Sequence, residues 1–383
     1  MRVLHVIPSV AERSGGPATA IVPMCRALMQ QGMDVLLIST DAGLGDREVT
    51  EVPAKLFPAE LGESFKYSRP LASWLSANVR KFDVVHVHAI FNHSSLAAAR
   101  ACKRAGVPYV IRPLGTLDPW SMTQKSLRKR VFWQVIGRGM LQGAAAVHYT
   151  SEAEKLSTER LNGLNHGRVV PLGIDPTSAS SREMLSKHFP SLAADPYVLV
   201  LSRLHPKKGL DVLIDAFLSL TSQFSAWHLV LAGDGPPEYV SMLKSKVSQC
   251  GRILFTGWVD GERKNALLGC ASLLALPSHQ ENFGLCVMEA LSQSVPVLVS
   301  PGVNLAPEIV TANAGWVAAI DKESLAAKLA EALSDEAELA RRGRAGQQLS
   351  LRYSWENAAK HLVQLYQEVL NGRADVHRVW MEN

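Results

Sequence analysis

Short apolar runs recur along this chain, separated by longer stretches in which apolar positions return every three or four residues. The first pattern predicts buried strands, the second amphipathic helices. In the first half, strands are expected at 2–7, 34–39, 83–88, 109–112 and 145–150, with helices at 18–31, 94–104 and 126–141. Pro171-Leu172-Gly173-Ile174-Asp175-Pro176 and a serine-rich stretch up to Ser181 interrupt the alternation. It restarts with strands at 197–202, 227–232, 253–256, 272–276 and 295–299. Alternation of this kind predicts two Rossmann-like, doubly wound α/β domains facing across a cleft that takes the ligand. The expected boundaries are 1–172, a linker at 173–195, and 196–354. A last helix, about 355–371, has no strand after it and is assigned back to the first domain.

Composition changes this picture little. The chain has 383 residues, 47% hydrophobic and 20% charged, enough for two full cores and far from a disordered composition. A net charge of +5 is compatible with an anionic ligand or surface and decides neither. No apolar run reaches the roughly 18 residues of a spanning helix. The apolar start at residues 2–7 is too short for a signal peptide. The five cysteines are scattered and lack metal spacing, which points to reduced thiols in a cytoplasmic protein.

Candidate chemistry gathers where strands end. After the strand at 272–276 comes Ser278-His279-Gln280-Glu281-Asn282-Phe283-Gly284-Leu285, running on to Glu289. Gly284 marks a helix start. That puts Glu281 in a loop and Glu289 in the second turn, beside free N–H groups that favour a phosphate. Two carboxylates next to a diphosphate suit neutral hydroxyls, because another anion would be repelled. A sugar nucleotide offers both. After the strand at 197–202 comes Arg203-Leu204-His205-Pro206-Lys207-Lys208-Gly209. Arg203 and Lys208 suit a diphosphate clamp at the carboxyl edge of the sheet; Lys207 reads as solvated surface charge. Gly233-Asp234-Gly235 permits close backbone approach but fails the dinucleotide fingerprint, since Glu238 stands where the third glycine belongs.

In the first half, Ser14-Gly15-Gly16-Pro17 places two glycines before a helix, a ligand-facing turn or simply a tight one. His86 and His88 share one face of their strand. With no third ligand at a sensible spacing, a metal site is not expected, and His88 is the better candidate for touching substrate. The stretch 125–138 carries Lys125, Arg128, Lys129, Arg130 and Arg138 among apolar residues that include Trp133. It reads equally as an interfacial helix on anionic lipid or as a core helix with a solvated basic face. Nucleic acid is disfavoured by the mild charge and the lack of a recognisable module.

Together these residues resemble the retaining glycosyltransferases of family 4, also called group 1 glycosyltransferases, which have the two-domain GT-B fold. The resemblance covers essentially the whole chain. Its most specific element is a Glu-x7-Glu motif, here Glu281 to Glu289. Arg203 and Lys208-Gly209, Gly15-Gly16, His86/His88, Gly233-Asp234-Gly235 and Asn304-Leu305-Ala306-Pro307-Glu308-Ile309-Val310 follow in order. The resemblance implies that Arg203 and Lys208 hold a donor diphosphate, Glu281 the hydroxyls of the transferred sugar, and Glu289 the nucleotide ribose. It also implies that backbone N–H groups at Phe283, Gly284 and Leu285 touch the donor and that Gly16 lets a loop close on it. The acceptor would sit mainly in the first domain.

One departure stands out: many relatives carry His-Gly where this chain has Leu114-Gly115. Arg112, Asp118 and a histidine of the preceding loop are therefore candidates for that sugar or acceptor contact. The implied reaction is metal-independent, retaining hexosyl transfer from a nucleoside-diphosphate sugar to a glycan or lipid-linked acceptor, in polysaccharide or glycolipid assembly. It would take place in the cytoplasm or at the inner face of its membrane. No Asp-x-Asp is present, which argues against the metal-dependent single-domain class. Competing readings are a sugar-nucleotide epimerase of the same fold, which needs an acid/base carboxylate in the first domain, and a sugar-nucleotide sensor without turnover.

Overall fold

A computed structural model describes the chain except residues 46–48, 50, 63–64, 124–125, 164–165, 176–180, 249 and 382–383. It gives backbone alone at 119, 126, 128, 161–162 and 373–381. Two compact units emerge: Met1–Gly173 with Ser354–Asn383, and Ile174–Tyr353.

The first unit is a seven-stranded sheet of β1 (Arg2–Val6), β2 (Asp34–Thr40), β3 (Ala54–Phe57), β4 (Val84–His88), β5 (Tyr109–Arg112), β6 (Ala146–Tyr149) and β7 (Gly167–Val169). The second holds β8 (Tyr197–Leu201), β9 (His228–Ala232), β10 (Ile253–Gly257), β11 (Leu273–Leu276), β12 (Val297–Val299) and β13 (Gly315–Val317). The spatial orders are β3-β2-β1-β4-β5-β6-β7 and β10-β9-β8-β11-β12-β13. All paired strands run parallel. Helices cover both faces of such sheets, so the central strands are continuous apolar runs rather than alternating ones. Strand order reverses between β1 and β4, and between β8 and β11. Open α/β sheets take ligands at the carboxyl ends beside such reversals.

Three strands escaped the hydrophobic pattern. β3, β7 and β13 are four, three and three residues long. β3, with half-exposed or exposed Ala54, Lys55 and Leu56, lies at a sheet edge, as do the other two.

The expected linker is also different. Within 173–195, Ser181 caps the helix Arg182–His188 through a 3.1 Å bond to the Met184 N–H, and Leu185 and Leu192 are buried. Serine read as linker is here an N-cap. The stretch 126–141 is not one regular helix: Ser126–Phe132 passes through a π turn, Trp133–Gly137, into Arg138–Gln142. Gly137 is required there, since a Cβ would stand 2.7 Å from the Trp133 ring.

The terminal helix, Trp355–Met381, packs on the helix Gly16–Gln30. It buries Ala358, Ala359, Leu362, Leu365, Tyr366 and Val369, spacing that lines one helical face. Among the described residues no helix is long and apolar enough to cross a membrane.

Candidate functional site

In the second unit the loops after β8 and β11 meet at the strand reversal. Lys208 ends the short 3-10 turn Pro206–Lys208, and Gly209 follows with φ +62°, as cap of that turn and start of the helix Leu210–Leu220. A Cβ on Gly209 would stand 2.5 Å from the Pro277 carbonyl. Glycine is thus needed twice, for its conformation and for the close approach. That approach delivers Lys208 to Glu281, and the two side chains pair while only 13% and 21% exposed. Burial pushes the Glu281 carboxyl up, but Lys208, Lys207 and Arg203 outweigh it and hold it below the usual range. Glu281 is therefore a carboxylate among three cations, with Arg203 itself exposed.

The Glu281 backbone is equally fixed. Its N–H donates to Gly302 O (2.8 Å), and its carbonyl accepts from the Asn304 N–H (3.0 Å). The Ser300 hydroxyl holds the Ser278 carbonyl at 2.5 Å. The late loop containing Asn304 thus splints the Glu281 loop. Gly284, at φ +70°, caps the helix Leu285–Ser292, which carries Glu289 in its second turn. Phe283 is buried against Tyr353.

Two lysines correct the reading from sequence. Lys207, expected as surface charge, is half-buried and donates to Gln280 Oε1 at 2.5 Å. Lys264, unremarked in the sequence, pairs with Glu289 at 2.7 Å. It lies on the separate helix Gly261–Gly269, so no local spacing announced it. Gly233 and Gly235 have a structural duty: Cβ atoms there would come within 2.0 Å of Ser202 O and 1.8 Å of Leu204 O. They let the turn after β9 lie against the turn that carries Arg203. In the first unit Gly15 (φ +104°) caps the helix that Gly16 begins, with Pro17 in its first turn.

The first unit holds a polar layer inside its sheet. Parallel register sets His5 beside His86 and His88 beside Arg112. His5 Nδ1 and His88 Nε2 share a hydrogen bond of 3.0 Å, and His148 Nδ1 and His86 Nε2 one of 3.2 Å. His86 Nδ1 meets Tyr366 Oη at 2.7 Å, and His148 Nε2 donates to Val170 O at 2.7 Å. All four rings are buried, as is Arg112. Burial and Arg112 depress every one of these histidines, with neighbouring rings adding to it at His86, His88 and His148; His5 and His148 fall to about 3. The rings are neutral. Burial also lowers Arg112, to about 10, against the pull of Glu154 and Tyr366.

His88 and Arg112, candidates for substrate contact, are 1% and 2% exposed, so in this conformation they support the sheet edge from below. Asp118 accepts the Trp120 N–H at 3.0 Å and caps the helix Pro119–Thr123. The fold does supply the third imidazole that sequence spacing lacked. Nitrogens of His5, His86 and His88 lie within 4.8 Å of one another, the described residues that could hold a metal ion. Their mutual hydrogen bonds and the adjacent Arg112 cation disfavour a dication there.

Models of known families match both units. Residues 15–173 match the "Glycosyl transferase 4-like domain" and residues 182–349 "Glycosyl transferases group 1". The chain belongs to the group 1 glycosyltransferases. It is a transferase with two Rossmann-like parallel-sheet units of the GT-B kind. A D-inositol 3-phosphate glycosyltransferase of Xylanimonas cellulosilytica is 26% identical over 94% of this chain and 93% of its own. A phosphatidyl-myo-inositol mannosyltransferase of Mycobacterium leprae is 26% identical over 98% and 99%. Anabaena HepE, solved with UDP and glucose, superposes at a TM-score of 0.77 with 20% identity, over 96% of this chain and 99% of its own.

Proposed function

We propose that this glycosyltransferase moves a hexose from a nucleoside-diphosphate sugar to a glycan or lipid-linked acceptor with retention of configuration. The observation that carries this reading is the Lys208–Glu281 pair at the β8/β11 reversal, with Arg203 and Lys207 in electrostatic reach. Arg203 and Lys208 take the diphosphate, Glu281 the hydroxyls of the transferred sugar, and Glu289, oriented by Lys264, the ribose. N–H groups of Phe283, Gly284 and Leu285 and the Gly233 turn complete the donor contacts in this unit. In this reading the leaving phosphate oxygen takes the acceptor proton as attack occurs on the same face. Glu281 then remains a hydrogen-bonding group, and two cations neutralise the leaving group without a metal ion. UDP on HepE and the name of the phosphatidyl-myo-inositol mannosyltransferase are consistent with such a donor and with a lipid-linked acceptor.

A thermal-shift panel of UDP, GDP, ADP and their sugar conjugates, with and without EDTA, tests the donor half. One base should stabilise the protein in both conditions, and Arg203→Ala should weaken that binding by about 1.5–3 kcal/mol. Arg203→Ala binding as tightly as wild type would remove Arg203 from the site. Conversion of the sugar nucleotide without acceptor would move the activity to epimerisation.

The acceptor side includes a membrane surface in this proposal. Leu127, Val131 and Val135 are 75%, 57% and 75% exposed and spaced four apart on the helical stretch 126–142, with exposed Arg130 and Arg138 nearby. An apolar stripe flanked by arginine suits an anionic lipid interface. Trp133 is not part of it, being 8% exposed and turned inward. Lys129 donates to Ser121 O at 2.6 Å over the Phe91 ring and braces the fold; Lys125 and the Arg128 side chain lie outside the described residues. Arg130→Glu with Arg138→Glu should abolish sedimentation with phosphatidylglycerol vesicles and leave donor binding intact. Sedimentation indifferent to both changes would return the stretch to an ordinary helix with a solvated face.

A further inference from the structure

The loop after β5 contains two consecutive residues in the left-handed region, Leu114 (φ +62°) and Gly115 (φ +66°). A leucine adopts that backbone only when its surroundings impose it, and such positions gather where structure serves function. Bonded to this turn is a buried carboxylate from the helix after the next strand. Glu154 is 3% exposed, in the first turn of the helix Glu152–Asn162, where its own N–H bonds the Ser151 hydroxyl at 3.1 Å. Its Oε1 accepts the Gly115 N–H at 2.7 Å. Its Oε2 accepts the Thr150 N–H at 2.8 Å and the Thr150 hydroxyl at 3.0 Å. Arg112, the residue that leads into the loop, supplies the balancing positive charge.

We propose that Glu154 is a positioning residue for transfer. It locks the Leu114-Gly115 turn at the carboxyl edge of the first sheet, one strand from the β1/β4 reversal, so that the turn stands ready for the acceptor. This rests on the transferase reading given above. The chemistry of the clamp explains why the residue is an acid. Both oxygens face donors, and a carboxylate accepts from all of them. An amide in its place would turn an NH2 group toward either the Gly115 or the Thr150 N–H, donor against donor. The helix holding Glu154 follows β6 while the turn follows β5, so the clamp joins neighbouring loops that no local contact would hold together.

Glu154→Gln tests this. The expected result is a fall in kcat of about 10- to 100-fold from a misplaced turn. The Kd for the nucleoside diphosphate, whose assigned contacts lie mainly in the second unit, should stay within about twofold, the split that marks loss of transition-state rather than ground-state interaction. Hydrogen exchange at the Gly115 amide should accelerate as well. Should the variant fail to fold, Thr150→Val removes only the hydroxyl donor and should give a smaller fall in kcat with donor binding again unmoved. An active wild type whose folded Glu154→Gln or Thr150→Val variant keeps full kcat overturns the positioning role alone. A wild type that transfers from no sugar nucleotide overturns the transferase reading and this role with it.

Discussion

Lowering the pH from 7.5 to 5 is expected to cut the stability of the first unit steeply, as a fall in its calorimetric midpoint. His5, His86, His88 and His148 are neutral in the fold because burial, their neighbours and Arg112 exclude a further positive charge. In the unfolded chain each titrates near 6.5. The sign follows from linkage. Above 6.5 neither state binds a proton at these rings and no penalty exists. Below 6.5 the unfolded chain takes up protons that the fold refuses, so stability drops with pH until the lower folded values are reached. At pH 5 His5 and His148 each cost about 2 kcal/mol and His86 and His88 act in the same direction, a large fraction of a typical domain's stability.

Other groups do not cancel this. Burial raises Glu154, so its cost in the fold is relieved as pH falls, but it is one group against four. Glu281 is depressed, so what it contributes is lost only below the ordinary carboxylate range, outside this window. His93 and His205 shift the same way but are more exposed. A midpoint for the first unit that stays level down to pH 5 would mean the rings accept protons in place, and the picture of a dry imidazole layer would be wrong.

That layer shows where the sequence stops being readable. His86 and His88 were visible as a same-face pair because strand periodicity is local. His5 and His148 join them only through the parallel register of β1, β4, β5 and β6, and Tyr366 only because the last helix packs on the first unit. Such pairing depends on strand order, which no window of sequence contains. The same limit hid Lys264, one helix away from Glu289, and Glu154, whose partner Gly115 lies in another loop. The donor half was legible for the opposite reason. Gly209 and Gly284 each sit at a strand-to-helix turn with the charged residue close by, so backbone need and chemistry appear together in a few consecutive residues. The missed edge strands and the helix at Arg182–His188 fell between these cases, too short for periodicity and flanked by residues that serve turns and caps alike.

Lys208→Ala is expected to weaken nucleoside-diphosphate binding by roughly 10- to 150-fold, the equivalent of 1.5–3 kcal/mol for a charge-assisted contact. The geometry makes a sharper claim. Without the ammonium, Glu281 loses its nearest counter-charge beside the place assigned to the diphosphate, so to the extent that it stays ionised part of the loss should be repulsion rather than a missing bond. Adding Glu281→Gln to Lys208→Ala should therefore recover some nucleotide affinity, a non-additivity that a double-mutant cycle on isothermal titration measures. Glu281→Gln alone should leave the nucleotide bound and impair turnover, because it touches the sugar that the free nucleotide lacks. Equal loss of both would put Glu281 on the nucleotide. Strict additivity, with no recovery in the double variant, would say that the two side chains pair in the free protein but part when the donor arrives, leaving exposed Arg203 to carry the diphosphate. Wild-type affinity in the Lys208→Ala protein would sink the diphosphate assignment itself.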